Sequence, residues 1–199
     1  MSGITLEKAE KGQKINLDKK VDGGIKTLSV GCGWDPVDNG EDFDADLSAA
    51  FLTANGKVES KENFLYWGSK KNSAGKLASG DYAHHTGDNL TGEGEGDNET
   101  IEVDLTKVPD NITKIEFHVV IYKAESRSQT FGMVSNAYVR TLDKASGSAL
   151  TRFDLDFDAS TSTAIKFCTL HKRNGEWIFA ADNVPVEGGL KAITSSIGL

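Results

Sequence analysis

The chain is short of several things that would mark other classes of protein. Only two cysteines occur, Cys32 and Cys168, far apart and each set among apolar residues. A disulfide framework would need more of them, and a thiol redox enzyme would need a C-x-x-C pair or a cysteine among positive charges. Two buried free thiols are therefore expected, and reduction of a substrate by thiols has no support. Nowhere do the ~18 consecutive apolar residues of a membrane span occur. The start, Met1-Ser2-Gly3-Ile4-Thr5, has neither a basic nor an apolar leader pattern, so a cytoplasmic location is expected. Helical periodicity is scarce as well, with 188–197 the one candidate for a short terminal helix.

Positive charge is missing from two long stretches. No Lys or Arg stands between Lys26 and Lys57, or between Lys76 and Lys107, whereas a solvated surface normally mixes both signs. Within the first gap cluster Asp35, Asp38, Glu41, Asp42, Asp44 and Asp46; within the second cluster Asp88, Glu93, Glu95, Asp97, Glu99, Glu102 and Asp104. With these 13 of the 30 acids set aside, the remaining 17 are outnumbered by 22 Lys and Arg. The net charge of −8 thus belongs to two places and not to the whole surface.

What the chain does have is strand. Runs rich in β-branched and aromatic residues, punctuated by Gly, Asn and Asp, place strands near 27–33, 43–53, 63–68, 100–105, 114–124, 133–142, 150–156, 164–172 and 176–181. Asn174-Gly175 between two apolar runs is a type I′ hairpin signal, and further turns are expected at 54–56, 109–111 and 146–148. At 199 residues with 38 % apolar content, one domain over residues 1–199 suffices. The expected fold is all-β, an antiparallel β-sandwich of two packed sheets with one or two short helices, whose loops gather at its two ends.

The acidic stretches have the chemistry of a hard-cation site. In an extended segment Asp42, Asp44 and Asp46 share one face, while Phe43, Ala45 and Leu47 share the other and can pack inward. The second stretch, 87–99, alternates glycine with carboxylates, and Asn89 and Thr91 add oxygens. Six to eight oxygens in flexible geometry suit Ca2+; Mg2+ competes but keeps its waters, and transition metals prefer nitrogen or sulfur. Merely solvated acidic loops remain the alternative. Neither stretch is an EF-hand, because Leu47 stands where its glycine should be and Thr53 where its bidentate glutamate should be.

Other chemistry finds less support. His84 and His85 beside the second loop could serve as a base, but exposed loop histidines are the expectation. His118 is expected on a sheet face and His171 in solvent, while Arg127 and Arg140 suit ion pairs. The run Gly92-Glu93-Gly94-Glu95-Gly96 carries carboxylates that would repel a phosphate. No nucleophile triad can be assigned, and the scattered basic residues argue against nucleic acid.

These same residues resemble the TerD family of tellurite-resistance and stress proteins. The resemblance is carried by Gly-Cys-Gly-Trp-Asp at 31–35, Asp-Phe-Asp-Ala-Asp-Leu-Ser-Ala at 42–49, Thr-Gly-Asp-Asn-Leu-Thr-Gly-Glu-Gly-Glu-Gly-Asp at 86–97, Phe131-Gly132 and Arg-Asn-Gly-Glu-Trp at 173–177. It implies a non-enzymatic, calcium-binding β-sandwich of the cytoplasm, working with soluble and membrane partners of the same resistance system. Carried over by position, the implied Ca2+ ligands are Asp35, Asp44, Asp46, Asp88, Asn89, Glu93, Glu95, Asp97 and Glu99. The chain departs from the pattern at Tyr66, which is followed by Trp67-Gly68 where the family usually has two asparagines. Two other readings stay open: a metal-dependent enzyme or binder of a phosphorylated or nucleotide ligand, and a module docked to anionic lipid by calcium.

Overall fold

Alternating burial along the chain resolves into strands that the structure, a computed structural model, describes over residues 7–35, 43–87, 89–90, 96–154 and 161–199. In chain order they are β1 (Glu7–Lys8), β2 (Lys14–Asn16), β3 (Thr27–Asp35), β4 (Ala45–Thr53), β5 (Phe64–Leu65), β6 (Leu77–Ser79), β7 (Ala83–His85), β8 (Glu99–Asp104), β9 (Ile112–Ile121), β10 (Ser135–Asp143), β11 (Ser148–Asp154), β12 (Ala164–Arg173) and β13 (Glu176–Pro185). Among the described residues the α-helices are α1 (Ala124–Arg127) and α2 (Gly189–Ile197). The first sheet runs β1-β11-β10-β3-β8-β7-β6 and the second β2-β13-β12-β9-β4-β5. Apart from the parallel β1–β11 pair, the ladders between strands are antiparallel.

The two sheets pack face to face as the expected sandwich. Ala45, Leu47, Ala49 and Phe51 of β4 and Ile115, Phe117, Val119 and Ile121 of β9 join one buried cluster with Leu28, Val30, Cys32 and Trp34 of β3. The period of two in each strand makes this possible, since alternate residues reach the same layer. Both thiols are free and buried within it.

The opposite face of the second sheet is covered in part by α2. Ile193 and Ile197, four residues apart and so on one side of the helix, pack with Ala50, Leu52, Val120 and Ala164. Burial of two such side chains contributes roughly 1.5–3 kcal/mol each, which is what holds a nine-residue helix in place. Gly198, at φ 93°, ends it by donating to Ser195 O.

Several expected boundaries move for local reasons. The strand expected at 63–68 stops at Leu65, because the Tyr66 N–H turns to Ser69 Oγ and the Ser69 N–H returns to Tyr66 O. The one expected at 114–124 stops at Ile121, since Lys123 takes a left-handed backbone and opens α1. β1, β2, β6 and β7 are two or three residues long, too short to show a pattern. The Asn174-Gly175 turn is as expected, with φ 52° and 82°, both positive as a type I′ turn requires.

His118 lies on the outer face of β9, paired across the ladder with Ser48 and Lys166, and only 3 % of it is exposed. Burial depresses its pKa to about 4, against the pull of Glu116 and with the push of Lys166. The folded protein therefore keeps this ring neutral at a pH where the unfolded chain would protonate it. That contribution is complete above about pH 6.5 and is lost as pH falls toward 4, on the order of 3 kcal/mol in all. Urea unfolding at pH 7 and pH 4.5 should show that His118→Gln loses less stability on acidification than the native chain does.

Candidate metal centre

At the end of the sandwich where β3 stops and β8 begins, two hydrogen bonds fix the first acidic stretch and the end of the second to one strand. The Trp34 indole Nε1–H donates to Phe43 O at 3.1 Å, and the Trp34 backbone N–H donates to Asn98 Oδ1 at 2.9 Å. The Asn98 N–H in turn donates to Cys32 O at 2.9 Å. The Tyr122 N–H adds a bond to Asp44 O at 2.8 Å, tying Asp44 to the end of β9.

Asp44 and Asp46 share the outer face of the β4 segment and are 5 % and 7 % exposed. Glu99, the first residue of β8, is buried to 1 % and reaches from the first sheet to the second. Its Oε2 accepts the Leu47 N–H at 2.6 Å, on a part of β4 that β5 does not cover, and its Oε1 accepts the Asn89 N–H at 3.3 Å. His85 Nε2 stands 3.3 Å from Oε2 without completing a hydrogen bond, while His85 Nδ1 accepts the Gly87 N–H at 3.2 Å, so that in the neutral ring the proton is on Nε2. Burial pushes the Glu99 carboxyl above the usual carboxylate range, and His85 and the two backbone N–H groups recover only part of that shift.

Of the sequence-predicted ligands, the structure thus joins Asn89 to Glu99 through the Asn89 N–H, while Asp44 and Asp46 lie on the outer face beside Leu47, the other residue bonded to Glu99. Asp97 turns to the outer face of the first sheet. Its Oδ1 accepts the Arg140 Nε–H at 2.7 Å and lies 3.0 Å from the Tyr138 hydroxyl, and its carboxylate covers Gly31 so closely that a Cβ there would overlap it. Burial, then the Asp97 charge, push the Tyr138 hydroxyl up to about 12. Asp35 is exposed at the end of β3, where Asn136 Nδ2 donates to it. Asp88, Glu93 and Glu95 lie outside the described residues.

Among the described residues no three His, Cys, Asp or Glu side chains stand close enough to enclose a metal by themselves. The donors present are nevertheless the right kind for a hard cation. They are carboxylate oxygens withdrawn from water, and the one nitrogen beside them, His85 Nε2, carries the ring's proton. Asp44, Asp46, Asn89 and Glu99 are the described residues that would hold Ca2+.

The two histidines correct the expectation of an exposed loop pair. Both sit on β7, where alternation sends His85 into the sandwich and His84 to the outer face. His84 Nε2 meets Glu102 at 2.9 Å, in a group with Lys76 and Lys144, and burial lowers its pKa. Facing opposite ways, the pair cannot act together as a base on one ligand. His118 is on a sheet face and Arg140 makes an ion pair, both as expected, while His171 is only half exposed.

Fold and site together define an all-β sandwich with a carboxylate-lined end. The chain belongs to the TerD domain family, which it matches over residues 5–196. It is 44 % identical over 191 residues to general stress protein 16U of Bacillus subtilis (strain 168), covering 95 % of each chain. It is 40 % identical over 190 residues to the tellurium resistance protein TerD of an Alcaligenes species, again covering 95 % of each. Among solved structures, a Streptomyces coelicolor A3(2) homologue of the telluride resistance protein superposes with a TM-score of 0.66 at 18 % identity, over 86 % of this chain and 96 % of that one. At that identity the likeness speaks for the fold alone.

Glu99→Ala would strand the Leu47 and Asn89 N–H groups and His85 in a buried setting, and it should cost about 2–4 kcal/mol in urea unfolding. Gly31→Ala should push the Asp97 carboxylate away from Arg140 and Tyr138, so that the Tyr138 pKa falls below about 12 in a spectroscopic titration.

Proposed function

We propose that the chain binds Ca2+ between its two acidic segments, and that the ordered end of the sandwich then serves as a recognition surface within a cytoplasmic chemical-stress or tellurium-resistance system. The observation that carries this reading is the burial of carboxylates at one end: Asp44, Asp46 and Glu99 are each at least nine-tenths withdrawn from water, with Glu99 bonded across both sheets. Ionised carboxylates are costly to desolvate together, and a divalent cation is the simplest means of offsetting that cost. Asp88, Glu93 and Glu95 of the glycine-rich segment would complete the shell of oxygens.

Relatives named for tellurium resistance, for general stress and, in Clostridium acetobutylicum, for resistance to chemical-damaging agents support the biological setting. The role is non-enzymatic. Its partners would be other proteins of the same resistance system, soluble or held at the membrane. Calcium would neutralise and order the acidic end, so that partner binding follows calcium occupancy.

Titration calorimetry on chelator-stripped protein tests the reading, with Mg2+ as control. Saturable heat with Ca2+ and little with Mg2+ is expected, and a hundredfold excess over Kd should stabilise the fold by about 2.7 kcal/mol. Asp44→Ala should abolish both effects. An Asp44→Ala variant that responds to calcium as the native chain does would overturn the assignment, and no heat with either ion would reduce the acidic segments to solvated loops.

A further inference from the structure

A cavity lies on the outer face of the second sheet, next to Asp46 of the acidic end, with a volume of about 400 Å3. Tyr66 and Trp67, just after β5, form one wall, Tyr122 to Ser126 form another, and Gly188 to Leu190 at the start of α2 close the third. This size is within the range of small-molecule sites.

The aromatic wall is a corner of perpendicular rings. Trp67 meets Tyr66 edge-on at 5.7 Å and Tyr122 edge-on at 5.9 Å, with interplanar angles of 73° and 85°. Trp67 keeps 41 % of its surface exposed, although burying an indole is strongly favourable. Tyr122 already attracts cations within the molecule, with Lys123 Nζ 5.0 Å and Arg127 Cζ 5.7 Å from its ring centre. Electron-rich faces set at right angles suit an alkylated ammonium group, which is held by ring quadrupoles and needs no hydrogen bonds.

The polar lining carries both signs. Asp46 and Glu125 bring carboxylates, whereas Lys123 brings an ammonium group. The N-terminus of α2 adds positive character: its N-cap is Gly188, at φ 91°, and among the described residues no side chain caps the first N–H groups. Lys123 holds a left-handed backbone at φ 52°, an unusual conformation for a long side chain and one that builds the wall of this cavity.

A purely cationic ligand would leave the helix end unanswered and meet the like charge of Lys123, and a purely anionic one would face two carboxylates and the rings of Tyr66 and Trp67. From the mixed lining and the aromatic corner we infer that this cavity binds a small zwitterion, an alkylated ammonium joined by a short link to a carboxylate. The ammonium lies against Trp67, Tyr66 and the field of Asp46, while the carboxylate caps α2 near Lys123. Asp46 is shared with the proposed Ca2+ site, so binding is tested on calcium-free protein, where its carboxylate faces the cavity without a bound cation.

Three probes of matched shape separate the contributions: glycine betaine, with both charges; 3,3-dimethylbutanoate, in which carbon replaces the ammonium nitrogen; and choline, which lacks the carboxylate. Binding is followed by the indole N–H resonances of chelator-stripped protein, in which Trp67 is distinguished from the buried Trp34 and Trp177 by its loss in Trp67→Ala. Glycine betaine should shift the Trp67 signal saturably, with each of the other probes weaker by about tenfold. Trp67→Ala should weaken betaine binding, read by calorimetry, by about tenfold while leaving the melting temperature and the calcium response unchanged. Equal binding of all three probes, no binding of betaine, or undiminished betaine binding by a folded Trp67→Ala variant would each overturn the inference.

Discussion

A carboxylate buried to 1 % stays buried only if its surroundings answer its charge, and in this protein Glu99 is answered by groups from three separate segments. One oxygen holds the exposed edge of β4 through Leu47, the other holds Asn89, and His85 of β7 stands beside them. Because β8 belongs to the first sheet and β4 to the second, the same side chain sets how the two sheets meet at this end. The placement of Leu47, next to Asp46, and of Asn89 depends on that junction. Its cost is visible in the raised pKa of Glu99, which marks an anion still short of compensation.

Around this junction the acidic residues divide by role. Asp97 is drawn off by Arg140 and Tyr138 onto the outer face of the first sheet, where it pins the end of the second acidic segment against Gly31. Glu102 is engaged by His84 and Lys144 on that same face, an ordinary set of cross-strand pairs in partial contact with solvent. Similar spacing in the sequence thus leads to different fates, because alternation along β8 sends Glu99 inward and Glu102 outward.

The outer face of the second sheet carries a separate design. Half of it is sealed by Ile193 and Ile197 of α2, and the remainder opens between aromatic rings and the start of that helix. The Tyr66–Trp67 turn and the α1 turn exist because each expected strand is cut short, the first by Ser69 and the second by the left-handed Lys123. Both interruptions fall at the edge of the cavity.

Much of this was legible in the residues themselves. Alternation through β4, β9, β12 and β13, the Asn174-Gly175 turn and the two gaps in positive charge follow from local stereochemistry and composition, so the sandwich could be read from the sequence. The family motif was legible too, since it is written in contiguous residues such as 86–97. What tertiary structure alone decided was pairing across distance. Nothing near Glu99 in sequence announces Leu47, nor does anything near Asp97 announce Arg140, and the strand β7 that turns His85 inward is too short to show a period. A carboxylate's role is set by the groups that meet it in space, and those contacts arise only when sheet register brings segments fifty residues apart to the same end of the fold.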